Sequence, residues 1–459
     1  MNEPLITMTH VCQSWRNLLL STPALWTQID FSTSGSEQAE DFLSRSGNQP
    51  LSIYQSLTSE DDVDPFLSAT LRNIHRLQRL ELDSSLPDLE PVLTRFTTPA
   101  PELEHLEIVH EIEGTERDME FHDTIFECQL PKLLSLSLRW LRTDLRPFSF
   151  PSLTRFSFMT GTNISVRDLA SFFERCPSLE FIEIILACMP EVPVAPPSQR
   201  VRLAALKKLI FDQSTCSSGL LDHLILPNCR EVVLEGLFTG AEFDYAGDPA
   251  ARIHPSSIDH LPVTRGITKA VAMPISCILS GPGGNLRFWC FKGTREDFDA
   301  EFFTSFSPIS VSEIRELWVG QRTNSYSSPR PWKQTVAGVR GAFGVLAKVE
   351  DLTIVSCETK PFFSTLGVAA DGGILLPGLR KLTVYIGCGD LDILALIECA
   401  EARKEHSRPI GEVIVVFEDE PGTDFVEGLE SLRALVGELR YGVGEAPEML
   451  WNGETTGTR

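Results

Sequence analysis

The sequence predicts an α/β fold in which short parallel strands are joined by helical returns into a right-handed solenoid, with a small all-helical unit in front of it. Three observations carry that prediction. A phrase of the form LxxLxL keeps returning along the chain, charged residues stand between its leucines, and helix-like stretches separate several of its copies.

The first element is LITMTHVCQSWRNLLLSTPALWTQIDF, residues 5–31. Leu5, Met8, Val11, Cys12, Trp15, Leu18 and Leu19 recur at three- and four-residue steps, so they predict one amphipathic helix with a single apolar stripe. Ser21-Thr22-Pro23 ends it, and Pro23 suits the first position of a short second helix carrying Leu25 and Trp26.

The repeats follow. LQRLELD at 77, LEHLEIV at 103, LLSLSLR at 133, LTRFSFM at 153, LEFIEII at 179 and LKKLIFD at 206 share the phrase. CREVVLE at 229, IRELWVG at 314, VEDLTIV at 349 and LRKLTVY at 379 are looser copies. Most spacings are about 20 to 30 residues, the period of leucine-rich repeats. Pro101, Pro131, Pro151 and Pro177 each stand two residues before the first leucine, which places a turn ahead of a strand that alternates buried and exposed side chains. Helical returns are predicted over Pro65 to Arg76, over Val166 to Arg175 with Ser165 as N-cap, and over Asp390 to Lys404. A doubly wound sheet would bury both strand faces and read as continuous apolar runs, whereas Glu81, Glu107 and Glu183 interrupt these.

The spacing fails between about residues 236 and 313. Gly236 to Pro262 reads as a long connection, and Ser280-Gly281-Pro282-Gly283-Gly284-Asn285 as the turn of a β-hairpin between Ile275–Leu279 and Leu286–Phe291. A second loop, Arg322 to Pro331, is rich in Ser and Pro. The organisation predicted is therefore a helical unit over 1–35, a degenerate repeat array over 36–440 with an irregular insertion and hairpin at about 236–300, and a disordered tail over 441–459.

Composition narrows the function. With 42% hydrophobic residues there is material for a core, and 40 Lys and Arg against 63 Asp and Glu give a formal charge of −23, which repels nucleic acid and anionic lipid. No basic segment followed by an apolar core opens the chain, and Ile182 to Met189 falls far short of the ~20 residues of a membrane helix. The 11 cysteines are odd in number and form no CxxC pair, so reduced core thiols are expected, and with them a cytoplasmic or nuclear protein that is not secreted.

No catalytic constellation appears: the chain contains no GxSxG elbow, HExxH helix, Walker loop or EF-hand loop. Gly387-Cys388-Gly389-Asp390-Leu391-Asp392 runs from a strand into a helix, but Asp390 and Asp392 would repel a pyrophosphate, so Asp390 is expected as a helix cap. His105, His110, His122, Asp123, Glu111, Glu113 and Glu116 are expected to form a solvated acidic loop, and no metal or cofactor is expected. The glycines of 281–284 serve the hairpin turn.

The opening stretch closely resembles the later helices of the F-box in fungal F-box proteins with leucine-rich repeats. The matching residues are Val11-Cys12-Gln13-Ser14-Trp15-Arg16, Ser21-Thr22-Pro23, Leu25-Trp26 and Ile29-Asp30, with AEDFLSRSGNQPLSIY at 39–54 similar to that family's first repeat and SGPGGNLRF to its later hairpin. The family's first helix, with its Leu-Pro-x-Glu-Ile opening, would precede Leu5, so the match is to a partial F-box. The resemblance implies a non-catalytic substrate receptor of a cullin-RING ubiquitin ligase, monomeric within its complex, with a Skp-type adaptor and a cullin as partners and a target protein held by the repeats. Val11, Trp15, Leu18, Leu25 and Trp26 would be its F-box core or adaptor contacts. Glu81, Glu107, Ser137, Glu183, Trp318, Thr353 and Thr383 are the exposed strand positions that, by the same resemblance, would face the target on the concave side. The alternative is a repeat protein that binds partners without any ligase.

Overall fold

The computed structural model describes residues 3–110, 119–121, 125–160, 164–186, 200–212, 220–235, 261–273, 276–289, 309–320, 335–355, 358–367, 373–386 and 391–444. The chain is mixed α/β with mostly parallel strands, and it divides into two compact units, Met1–Cys229 and Arg230–Arg459.

The first unit opens with α1 (Glu3–Thr9), α2 (Gln13–Leu20) and a 3₁₀ turn over Pro23–Trp26. The single helix expected across Leu5 to Leu19 is therefore broken. Thr7, Thr9, His10 and Val11 are weak helix formers, and the Thr9 hydroxyl donates to the Ile6 carbonyl at 2.6 Å. His10 and Val11 donate to the third carbonyl back, and Cys12 is extended with φ −159°. A helical segment, α3 (Phe31–Arg45), follows the first strand and is kinked at Gly35, whose φ is +69°.

The strands of this unit are β1 (Gln28–Asp30), β2 (Leu51–Leu57), β3 (Leu77–Ser84), β4 (His105–His110), β5 (Met119–Phe121), β6 (Ser135–Arg139), β7 (Leu141–Thr143), β8 (Arg155–Thr160), β9 (Phe181–Leu186), β10 (Val201–Arg202), β11 (Lys208–Asp212) and β12 (Leu224–Ile225). Eight of them, β1, β2, β3, β4, β6, β8, β9 and β11, lie side by side in chain order, every pair parallel. The remaining four form two small parallel pairs, β5 with β7 and β10 with β12.

One local device repeats ahead of the strands. In Ala100-Pro101-Glu102-Leu103, Leu130-Pro131-Lys132-Leu133, Phe150-Pro151-Ser152-Leu153 and Cys176-Pro177-Ser178-Leu179 the fourth residue donates its N–H to the first residue's carbonyl. Proline's fixed φ suits the second position of such a turn. The first and fourth side chains are buried in all four, so each turn pins its strand to the core as well as aiming it. Within the strands Leu80 and Leu82, Leu106 and Ile108, Leu136 and Leu138, Phe156 and Phe158, and Ile182 and Ile184 point to the same buried side.

Returns between strands are only partly helical. Helix α4 (Val63–Arg72) and α6 (Val166–Glu174) lie where helices were expected; a single turn, α5 (Glu90–Leu93), stands between them. Ser165 does not cap α6 with its side chain; its backbone carbonyl accepts from Asp168 and Leu169 instead. Elsewhere a left-handed turn (Ile125–Cys128), a 3₁₀ turn (Leu220–His223) and the two small strand pairs replace helices. A column of buried rings, Phe31, Phe66, Phe96 and Phe126, links successive returns with centroids 5.3 to 6.4 Å apart.

The second unit holds β13 (Glu231–Glu235), β14 (Lys269–Met273), β15 (Ser276–Gly281), β16 (Gly284–Trp289), β17 (Glu316–Gly320), β18 (Asp351–Val355), β19 (Lys381–Ile386), β20 (Glu412–Phe417) and β21 (Glu438–Val443). Its helices are α7 (Val336–Val345), α8 (Lys360–Gly367), α9 (Ile393–Glu405) and α10 (Thr423–Leu432). The hairpin β15–β16 is present, tightened to a turn at Pro282-Gly283, and β14 adds a third antiparallel strand. This meander runs backwards through the sheet, so the order is β13, β16, β15, β14, β17, then β18 to β21. Three strands return the direction to its start, so β16 pairs parallel with β13 and β14 parallel with β17.

The cap of α9 is Asp392, whose carboxylate accepts the Ala395 N–H at 2.9 Å; Asp390 lies outside the described residues. So do the loop 322–331, the connection 236–260 and the tail from 445, while strand β21 carries order to Val443, past the predicted end of the array. Among the described residues no helix is long and apolar enough to cross a membrane.

Candidate functional site

Strand register gathers the predicted surface residues. Glu81, Glu107, Ser137 and Glu183 fall in one row across the first unit, which continues through Asp30, Tyr54 and Ser157. Trp318, Thr353 and Thr383 fall in one row across the second, with Val271 before them and Ile414 and Arg440 after them. Both rows lie on the sheet face turned away from the buried leucines, because a strand's side chains alternate.

Exposure along the rows is uneven. Glu81, Glu107, Glu183 and Trp318 are half-buried, whereas Ser137, Thr353 and Thr383 are buried, against the expectation that all seven are exposed. Short side chains on a sheet sit below their longer neighbours. Around Ser137, Glu107 and Arg139 reach to 4.0 Å of each other, and Thr353 stands beside Trp318.

The first unit's row is electrostatically dense. Glu81 pairs with Arg79, and Glu183 accepts the Ser157 hydroxyl. The Arg155 guanidinium lies 4.1 Å from the centroid of the Phe181 ring. Burial raises the Tyr54 pKa above its ordinary value, and the carboxylates of Asp83, Asp30 and Glu81 add to that rise. Burial lowers the His105 pKa, with Arg79 contributing, and His110 is buried with its Nε2 2.9 Å from the Leu86 carbonyl. His122, Asp123, Glu111, Glu113 and Glu116 lie outside the residues whose side chains are described.

In the second unit Trp318 donates its indole N–H to Glu316 at 2.6 Å. Lys269 sits over its ring at 4.9 Å and also pairs with Glu316 at 2.8 Å. Register rather than the leucine phrase reveals Tyr54, Val271, Ile414 and Arg440 as row members. Strands β20 and β21 use Val413, Val415 and Leu439 as their buried residues, so a search for leucines alone passes over β20.

The helical opening presents a second surface. Trp26 is fully buried, stacked on Phe42 at 5.3 Å, with its indole N–H donating to the Leu19 carbonyl at 2.9 Å. Val11 (66% exposed), Leu18 (61%) and Trp15 (47%) are turned to solvent, and Met8 and Leu25 are exposed as well. Of the five residues matched to the F-box motif, Trp26 alone is core.

Among the described residues no group of three His, Cys, Asp or Glu side chains is placed to hold a metal ion. Burial pushes the thiols of Cys176 and Cys399 up to about 11 and about 12, so both are protonated at neutral pH and poor nucleophiles. A cleft of about 580 Å³ at the starts of α8 and α9 brings together Lys360 and Asp392, 3.5 Å apart, with apolar Pro361, Leu394 and Phe425. Its lining also includes Glu358 and Thr359, whose hydroxyl accepts the Asp392 N–H at 3.2 Å. No family model matches this chain, and no curated protein matches it.

Proposed function

We propose that this chain is a non-catalytic substrate receptor of a cullin-RING ubiquitin ligase, an F-box protein whose repeats form a right-handed, leucine-rich-repeat-like solenoid. In this reading the helical opening binds a Skp-type adaptor, and the strand rows hold the target protein in the cytoplasm or nucleus. The observation that carries it is the exposure of Val11, between α1 and α2, and of Trp15 and Leu18 on α2, beside a Trp26 that is locked into the core. Three large apolar side chains held outward on an anchored support are the composition of a protein contact. The parallel strand order, the Pro-x-Leu turns and the shared register support the solenoid.

The test is a pull-down of purified adaptor by the full chain, beside a version with the family's first F-box helix fused ahead of Leu5. Retention by either, abolished by the double substitution Val11→Asp and Leu18→Asp, supports the reading. If neither version retains adaptor, the ligase role falls and a repeat protein acting alone takes its place.

A further inference from the structure

The open sheet faces of the two units differ in chemistry. Where the first unit carries Glu81, Glu107 and Glu183, the second carries Val271, Trp318 and Ile414, with Thr353 and Thr383 between them. One step further along the same strands the second unit adds Met273, Val355, Tyr385 and Val416. Ile278, Trp318 and Val355 pack on Val271 and Met273 yet stay partly open to solvent. Trp318 is held before any ligand arrives: its N–H is satisfied by Glu316, and Lys269 is set over the ring. A fixed aromatic loses little freedom on binding, which is the quality of an interface anchor.

Charge tells which partner fits. One step the other way along the strands lie Lys269, Glu316, Asp351, Lys381 and Glu412. Lys269 is paired with Glu316 at 2.8 Å and Lys381 with Glu412 at 3.4 Å. Among the described residues Asp351 forms no ion pair, and it is exposed. One carboxylate, which Lys381 and Arg380 favour only from beyond ion-pair distance, thus stands at the margin of an apolar face, on a chain of formal charge −23.

We propose that this face docks a segment of a partner protein that lays an aromatic or branched aliphatic side chain against Trp318 and sets a lysine or arginine against Asp351. It rests on the reading above, that the strand face holds a protein, and gives that protein's recognised segment a chemistry. Acidic segments are rejected by the same surface.

A random peptide-display library panned on the immobilised full chain tests it. The wild type should enrich peptides that pair an apolar side chain with a nearby Lys or Arg. Trp318→Ala should lower the affinity of the enriched synthetic peptides at least tenfold, and Asp351→Lys should turn the enrichment towards Asp and Glu. Asp351 is a surface residue, so its charge reversal reads binding without threatening the fold; Glu174→Lys, at an exposed position of helix α6 in the other unit, should change nothing. Enrichment that ignores Trp318 and Asp351 but responds to Glu81→Lys would overturn this proposal and leave protein binding by the rows standing. No enrichment at all would overturn both.

Discussion

Arg403 is fully buried, and its guanidinium donates to three backbone carbonyls: Leu366 at 3.2 Å, Leu375 at 2.9 Å and Leu376 at 2.9 Å. Leu366 sits in the last turn of α8, so the cation also meets the negative end of that helix. Burial lowers its pKa, yet arginine is basic enough to stay charged. The same device recurs. Arg76 donates to the carbonyls of Leu43, in the last turn of α3, and of Gln49, past its end, and Arg175 to those of Leu145 and Phe148. Arg403 lies in the last turn of α9, Arg76 closes a 3₁₀ turn and Arg175 follows α6, and each reaches back to carbonyls of the preceding return. Replacing Arg403 by Met keeps much of the volume but removes all three hydrogen bonds, at a cost of about 2–4 kcal/mol. Arg403→Lys should recover little, because a point charge cannot fork to three acceptors. Urea denaturation followed by circular dichroism gives the number, and an unchanged midpoint for Arg403→Met would refute the role.

The elements were legible where one residue type dictates one conformation. Proline ahead of leucine marked the turns, and the charged residues between leucines marked which strand face is open. The meander was half legible. Its glycines announced a turn, but β14, Lys269–Met273, is a run of small and apolar residues that carries no period of its own, and only its partners define it. The break in the first helix escaped because an apolar stripe can persist through a kink, while the propensities of Thr7, Thr9 and Val11 decide whether the backbone does. The row could be read from spacing, but the burial of Ser137 and Thr353 depends on neighbours some 20 to 35 residues away in sequence.

Glycine chemistry makes the meander testable. Gly284 has φ +127°, and a Cβ there would overlap the Arg230 backbone carbonyl, while one on Gly283 would overlap that of Pro262. Gly284→Ala therefore meets a disfavoured φ and a backbone clash together, and should cost about 2–4 kcal/mol. A lowered thermal midpoint is the expected result; native stability in this variant would mean that the close approach of β16 to Arg230 is wrong.

At the scale of the molecule, two kinds of surface have separate supports. The strand rows are built by repetition, so their register survives changes in any one return, and their side chains are free to vary in charge and shape. The helical opening is anchored by the buried Leu19 and Trp26, with Arg45 4.9 Å from the Trp26 ring centroid and Phe42 stacked beneath it. Such an arrangement suits a chain with one constant partner at the helices and a selective one on the strands. Hydrogen exchange of the full chain, with and without a purified Skp-type adaptor, tests this most directly. The account predicts that adaptor slows exchange of the amides of α2 and the Pro23–Trp26 turn and leaves the strand rows unchanged. Protection confined to the strands, or none anywhere, would contradict it.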